Sequence, residues 1–174
     1  MRVNIALRPA RPEDASSLAA LSVEVWVGTY LRQGITAHFA DYVLSEFTPA
    51  RMEALIHGVD QTIIVSQNED GIDGYIRVSH RCPDPLAGGH QTEVATLYVR
   101  PRHQGKGLGR ALLLAGLQAA HEAGATSIWL TTNSENAPAI AFYLAQGFER
   151  IGITQFRIED QAYQNDVFAR VLDH

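Results

Sequence analysis

From Arg102 to Arg110 the chain reads Arg-His-Gln-Gly-Lys-Gly-Leu-Gly-Arg, with glycines alternating at 105, 107 and 109. An apolar extended run, Val94 to Val99, leads into it, and a helical run, Ala111 to Ala120, follows. Glycine permits φ > 0 and close approach of a ligand to the backbone. The peptide N–H groups then form a concave nest at a helix N-terminus, where the macrodipole is positive. Arg100, Arg102, Lys106 and Arg110 lie in a stretch without an acid, and Lys106 is the sole lysine of the protein. The pattern suits a polyanion, with a pyrophosphate as first candidate. A P-loop requires Ser or Thr after the lysine, and Gly107 stands there instead. A dinucleotide fingerprint requires a third glycine where Arg110 stands, and an acid about 20 residues on, where the chain has only the Trp129–Thr132 region. The alternative is a glycine-rich turn that gathered basic residues by chance.

A second segment, Asn136-Ala137-Pro138-Ala139-Ile140-Ala141-Phe142-Tyr143, ends in Gly147-Phe148. The two segments resemble the Q/R-x-x-G-x-G/A and N-x-x-A-x-x-F-Y-x-x-x-G-F signatures of the GNAT superfamily of acetyl-CoA-dependent N-acetyltransferases. Arg102, Gly105 and Gly107 fill the defining places of the first, and the resemblance runs from about Thr92 to Phe148. It implies an α/β (α+β) fold, with a mixed, mostly antiparallel central sheet of six to seven strands flanked by helices. Such a sheet is splayed at the central strand to admit the CoA arm. It implies acetyl-CoA as acetyl donor, and direct attack by a primary amine in a ternary complex.

Acetyl transfer makes definite demands. The amine arrives protonated, with a pKa of about 10 for a lysine-like group, and must lose a proton before it attacks the thioester. The tetrahedral oxyanion needs N–H donors, and the departing thiolate needs a proton. The resemblance places Tyr143 where family members carry the tyrosine that protonates the thiolate; the alternative is a ring that packs on the cofactor. It places Glu93 where many relatives have the carboxylate that draws off the amine proton, often through water; the alternative is a solvated glutamate near a strand end. Leu97 and Val99 would offer backbone groups to the pantetheine arm. Arg102, Gln104, Gly105, Lys106, Gly107, Leu108, Gly109 and Arg110 would hold the pyrophosphate. Asn136 resembles the asparagine that bonds the CoA arm, and it also suits a helix N-cap. Leu108, Leu112, Ala115 and Ala119, with Leu113, Leu117 and Ala120, line one broad helical face, which reads as core beneath the loop.

The acceptor falls to the first half of the chain. Trp26, Tyr30, Phe39 and Tyr42, with Glu24, Asp41 and Glu46, suit an amine with an aliphatic body. The alternative is aromatic core and solvated acids. Trp26, Thr29-Tyr30 and the late Gln164-Asn165-Asp166 resemble PaiA-like polyamine acetyltransferases, although Tyr30 departs from the Thr-Phe of that group. Cys82 reads as a loop cysteine without a role. His80, Cys82 and His90 fit no zinc spacing, so no metal is expected. His103 reads as either a phosphate donor or a solvated loop residue.

Three functions remain: a small-molecule amine N-acetyltransferase, a protein N-terminal or lysine acetyltransferase, and a non-catalytic acyl-CoA-binding module. The first leads. A 174-residue chain, 46% hydrophobic and 19% charged, reads as one domain over 1–174 that can bury a real core. The net charge of −5 is uneven: residues 1–99 carry −5, 100–110 carry +4 and 111–174 carry −4. A local basic patch on an acidic background argues against nucleic acid and for a small anionic cofactor with a cationic second substrate. No apolar run approaches a membrane span, and the opening Met1-Arg2-Val3-Asn4-Ile5 lacks a signal-peptide stretch, so a cytoplasmic protein is expected. A single cysteine excludes an internal disulfide. Assembly is open between monomer and homodimer.

The elements are expected in the order β-α-α-α-β-β-β-α-β-α-β-β. Strands are expected at Val3–Arg8, Thr62–Ser66, Ile72–Ser79, Thr92–Arg100, Thr126–Thr132, Phe148–Ile158 and Asp166–Leu172. Helices are expected at Glu13–Val27, Thr36–Phe47, Pro49–His57, Gly107–Ala123 and Asn136–Gln146, with Thr48 as an N-cap and Gly147 as a C-cap.

Overall fold

A computed structural model describes residues 4–173, so Val3, the first residue of the first expected strand, lies outside it. The expected element order is present: β1 (Ala6–Pro9), α1 (Ala15–Tyr30), α2 (Ala37–Glu46), α3 (Pro49–His57), β2 (Gln61–Asn68), β3 (Gly71–Ser79), β4 (Glu93–Val99), α4 (Leu108–Glu122), β5 (Ser127–Asn133), α5 (Ala137–Ala145), β6 (Glu149–Ile158) and β7 (Gln161–Val171). The strands form one seven-stranded sheet, in the order β1-β2-β3-β4-β5-β7-β6. β1/β2, β5/β7 and β6/β7 are antiparallel, and β4/β5 is parallel. The chain divides into two compact units: residues up to Arg77 with Thr96–Gly116, and Val78–Ala95 with the chain from Leu117 onward.

In the first unit α1 lays Leu18, Leu21 and Val25 into a core that also takes Met52, Ile63, Val65 and Tyr75. Each such aliphatic side chain contributes roughly 2 kcal/mol on burial. The Tyr75 hydroxyl, inside that core, shares a hydrogen bond with Ser22 Oγ (2.6 Å), which satisfies both groups. The first helix starts later than expected. The Asp14 carboxylate accepts from the Arg11 N–H (2.7 Å) and from the Arg8 guanidinium (2.7 and 2.9 Å). That network holds Pro12–Asp14 as a 3₁₀ turn ahead of the helix. α1 runs through Gly28 to Tyr30, since a single glycine costs a helix only about 1 kcal/mol. α2 and α3 obey their caps: Thr36 Oγ1 accepts from Phe39 N–H (3.5 Å), and Thr48 Oγ1 from Arg51 N–H (3.2 Å). The β2–β3 turn is fixed by Asn68 Oδ1, which accepts from the Asp70 and Gly71 N–H groups (2.8 and 3.1 Å).

In the second unit β5, β6 and β7 bury Ile128, Leu130, Ile158, Val167 and Phe168. β7 begins at Gln161, five residues before the expected start, because it pairs with β6 from Ile158↔Gln161 through Glu149↔Ala169. The hairpin turns on Glu159, which takes φ 55°. The loop between β3 and β4 closes on itself: Cys82 N–H donates to Gln91 C=O (2.8 Å), and Asp84 N–H to His90 C=O (2.9 Å).

Candidate active site

In the first unit, β4 ends at Val99, Pro101–His103 makes a 3₁₀ turn, and α4 starts at Leu108. Gly105 and Gly107 take φ 76° and 85°, the left-handed region that glycine enters without a Cβ penalty. A Cβ built on either would meet no heavy atom of the protein within 4 Å. Both glycines therefore face open space at a helix start, which is the cradle a diphosphate needs. Arg102, Lys106 and Arg110 are exposed around it, while the Leu108 side chain is buried and fixes the helix end. The fourth cation is spent elsewhere: Arg100 Nε donates to Glu24 Oε2 (2.9 Å). The loop is braced from below. Gln104 Nε2 donates to Val99 C=O (3.1 Å), which engages one of the expected pantetheine acceptors. His103 Nδ1 lies 3.0 Å from Asp73 Oδ2, so its ring anchors the loop to β3. Burial pushes the Asp73 carboxyl up, but hydrogen bonds from Ser66, His103 and Asn68 hold it on balance below its ordinary value.

The acceptor candidates of this unit cluster around one ring. Trp26, only 7% exposed, has Tyr30, Tyr42 and Phe39 at centroid distances of 4.9, 5.4 and 5.6 Å. Trp26 is thus largely core, while Tyr30, 42% exposed, presents a ring to solvent. Burial pushes the Tyr42 hydroxyl up to about 12, aided by Glu46, so it stays protonated. Two of the three carboxylates have arginine partners: Glu24 with Arg100, and Glu46 with Arg51 (3.0 Å). Asp41 is exposed on α2.

In the second unit, Tyr143 is half-buried on α5, with ring contacts to Phe148 (5.7 Å) and Phe168 (6.5 Å). Asn136 is the N-cap of α5, its Oδ1 accepting from Ala139 N–H (3.3 Å). Gly147, at φ 83°, lets the chain leave that helix as expected. Glu93 opens β4 opposite Trp129 of β5, where Trp129 N–H donates to Thr92 C=O (2.9 Å). Cys82, read from the sequence as a loop cysteine without a role, donates its thiol to Glu93 Oε2 at 3.3 Å. No local signal marks that pair. Asp166 accepts from Ser134 Oγ (2.7 Å) and pairs with Arg150 (3.3 Å), so it steadies the turn before α5. His90 Nδ1 lies 2.8 Å from Ser127 Oγ, a partner different from that of Cys82.

A seven-stranded mixed sheet with a glycine turn at the start of the helix that follows β4 is the arrangement the resemblance implied. The particular family follows from direct comparison: the model of the acetyltransferase (GNAT) family matches residues 30–148, and the chain belongs to that family. It is an acetyl-CoA-dependent N-acetyltransferase. An uncharacterized N-acetyltransferase of Mycobacterium tuberculosis is 26% identical over 91% of this chain and 98% of its own. The streptothricin acetyltransferase of Streptomyces lavendulae is 29% identical over 84% of this chain and 82% of its own. The PaiA N-acetyltransferase of Thermoplasma acidophilum, crystallised with coenzyme A, has the same fold, with TM-score 0.79 and 18% identity over 97% and 99% of the two chains. Among the described residues no helix is long and apolar enough to cross a membrane.

Proposed function

We propose that this acetyltransferase moves the acetyl group of acetyl-CoA to a primary amine of a small molecule, by direct attack in a ternary complex. The observation that carries the cofactor half is the pair of left-handed glycines facing open space at the start of α4. Their N–H groups, with Arg102, Lys106 and Arg110, hold the diphosphate. The backbone of Leu97 and Val99 receives the pantetheine arm, the Val99 C=O through the lone pair that Gln104 leaves open. Acetyl-CoA, when bound, supplies the activated thioester. Glu93 takes the proton from the incoming amine, and the Tyr143 hydroxyl protonates the departing thiolate. The amide NH2 of Asn136 is chemically distinct from its capping oxygen, so one side chain serves both the helix and the CoA arm.

The acceptor we favour is a cationic amine with an aliphatic body, spermidine first, with Tyr30 as its outermost contact, Trp26 largely core behind it and Glu24 shared with Arg100. The exposed Tyr30 ring gives a cation a π-face. A second reading, an antibiotic amine such as streptothricin, is favoured by the Streptomyces relative that aligns with most of the chain. The test is a panel of polyamines, streptothricin, aminoglycosides, amino acids and peptides, assayed for thiol release from acetyl-CoA in the native enzyme and in Tyr143→Phe. We expect turnover of a small amine. Tyr143→Phe should lower kcat by roughly 10²–10⁴ while CoA affinity is nearly kept. Turnover of peptides alone would replace the small-molecule reading. Lost affinity at unchanged kcat would make Tyr143 a packing residue.

A further inference from the structure

Cys82 is the sole cysteine of the chain, and four ties hold it in the loop between β3 and β4. Its N–H donates to Gln91 C=O (2.8 Å). Its carbonyl accepts from the Trp129 indole N–H (2.8 Å). Its side chain packs against the buried cluster of Trp129, Val167 and Ala169. Its thiol donates to Glu93 Oε2 at 3.3 Å. The first three ties are independent of Glu93, so the fold itself delivers the thiol to the carboxylate. A donor aimed at one oxygen of a carboxylate narrows the orientations the side chain can take.

We infer that Cys82 is a positioning residue for acetyl transfer: its thiol holds the Glu93 carboxylate in one orientation. This rests on the reading of Glu93 as the group that takes the amine proton. The thiol itself forms no bond to the acetyl group.

A double-mutant cycle tests it, with acetyl-CoA saturating and spermidine as acceptor, or streptothricin if that is the amine turned over. Cys82→Ala should lower kcat about tenfold, and Cys82→Ser, which keeps a donor, should restore most of it. KM for acetyl-CoA should stay within about twofold in both. In a Glu93→Gln background, Cys82→Ala should cost nothing further. A second readout needs no acceptor: iodoacetamide should alkylate Cys82 several-fold faster in Glu93→Gln than in the native protein, because the neighbouring negative charge is gone. Independent effects of the two substitutions, a serine variant as slow as the alanine one, or equal alkylation rates would overturn the inference. So would S-acetylated Cys82 in the intact mass after incubation with acetyl-CoA. If Glu93→Gln runs at the native rate, the base reading falls and this inference falls with it. If Glu93→Gln is slow while Cys82→Ala runs at the native rate, this inference alone falls.

Discussion

Three backbone N–H groups, of Leu86, Gly88 and His90, converge on the carboxylate of Asp84, each at 2.9 Å. Those bonds close the loop that carries Cys82. Burial pushes the Asp84 carboxyl up, but the N–H groups of Gly88, His90 and Leu86 hold it on balance below its ordinary value of 3.8. A carboxyl depressed in the folded state stabilises the fold above its unfolded pKa, and the gain fades as pH falls through the folded value. The contribution is therefore complete at neutral pH and lost progressively below 3.8. Asp84→Asn keeps one acceptor and loses the charge. It should cost about 1–2 kcal/mol at pH 7, or a fall in Tm of roughly 3–6 °C. The gap to the native protein should narrow progressively as pH falls below 3.8. Thermal melts of both proteins across that range decide it: a gap of constant size would mean that the charge contributes nothing. Asp84 shares with Glu93 and Glu24 a property that hides it from a sequence reader. Its role is set by the groups that meet it in space, and Arg100 reaches Glu24 across 76 positions of chain.

At the scale of the element, the unit that matters is β4, the glycine turn and the start of α4. This unit was legible in the sequence because its determinants are local: alternating glycines, clustered cations and an apolar helical face. The caps of α3 and α5 were legible for the same reason, since Thr48 and Asn136 each bond a group three residues ahead. The start of α1 was not, because Asp14 answers to Arg8 on the preceding strand. Nor was the first half of β7, whose polar residues from Gln161 to Asn165 are strand only by pairing with β6. At Gly107 the local logic makes a sharp prediction. Valine there would sit at φ 85°, at a strain of about 1–2 kcal/mol, and its side chain would fill the open side of the cradle. The protein around it offers no clash, so Gly107→Val should fold. CoA affinity should fall by more than about a hundredfold, the equivalent of two or more lost charge-assisted hydrogen bonds. Calorimetric titration of the folded variant measures it, and native affinity would remove the diphosphate from this loop.

For the whole molecule, charge is uneven along the chain: residues 100–110 carry +4, against −5 over 1–99 and −4 over 111–174. The surface outside residues 100–110 carries the negative balance, while Arg102, Lys106 and Arg110 keep the loop positive. Two carboxylates first considered for the acceptor, Glu24 and Glu46, are held by Arg100 and Arg51. Steering of a polycation therefore falls to the diffuse acidic field more than to one paired carboxylate. Such a field is screened within about 8 Å at physiological salt. KM for spermidine should accordingly rise about two- to fivefold between low and physiological ionic strength, with acetyl-CoA held saturating throughout. KM for a monoamine of similar length should move less, because its attraction scales with one charge. Equal salt dependence for the two would show that the field does not select the acceptor. A streptothricin turnover that exceeds that of every polyamine would move the acceptor to the antibiotic class and leave the acetyltransferase chemistry as it stands.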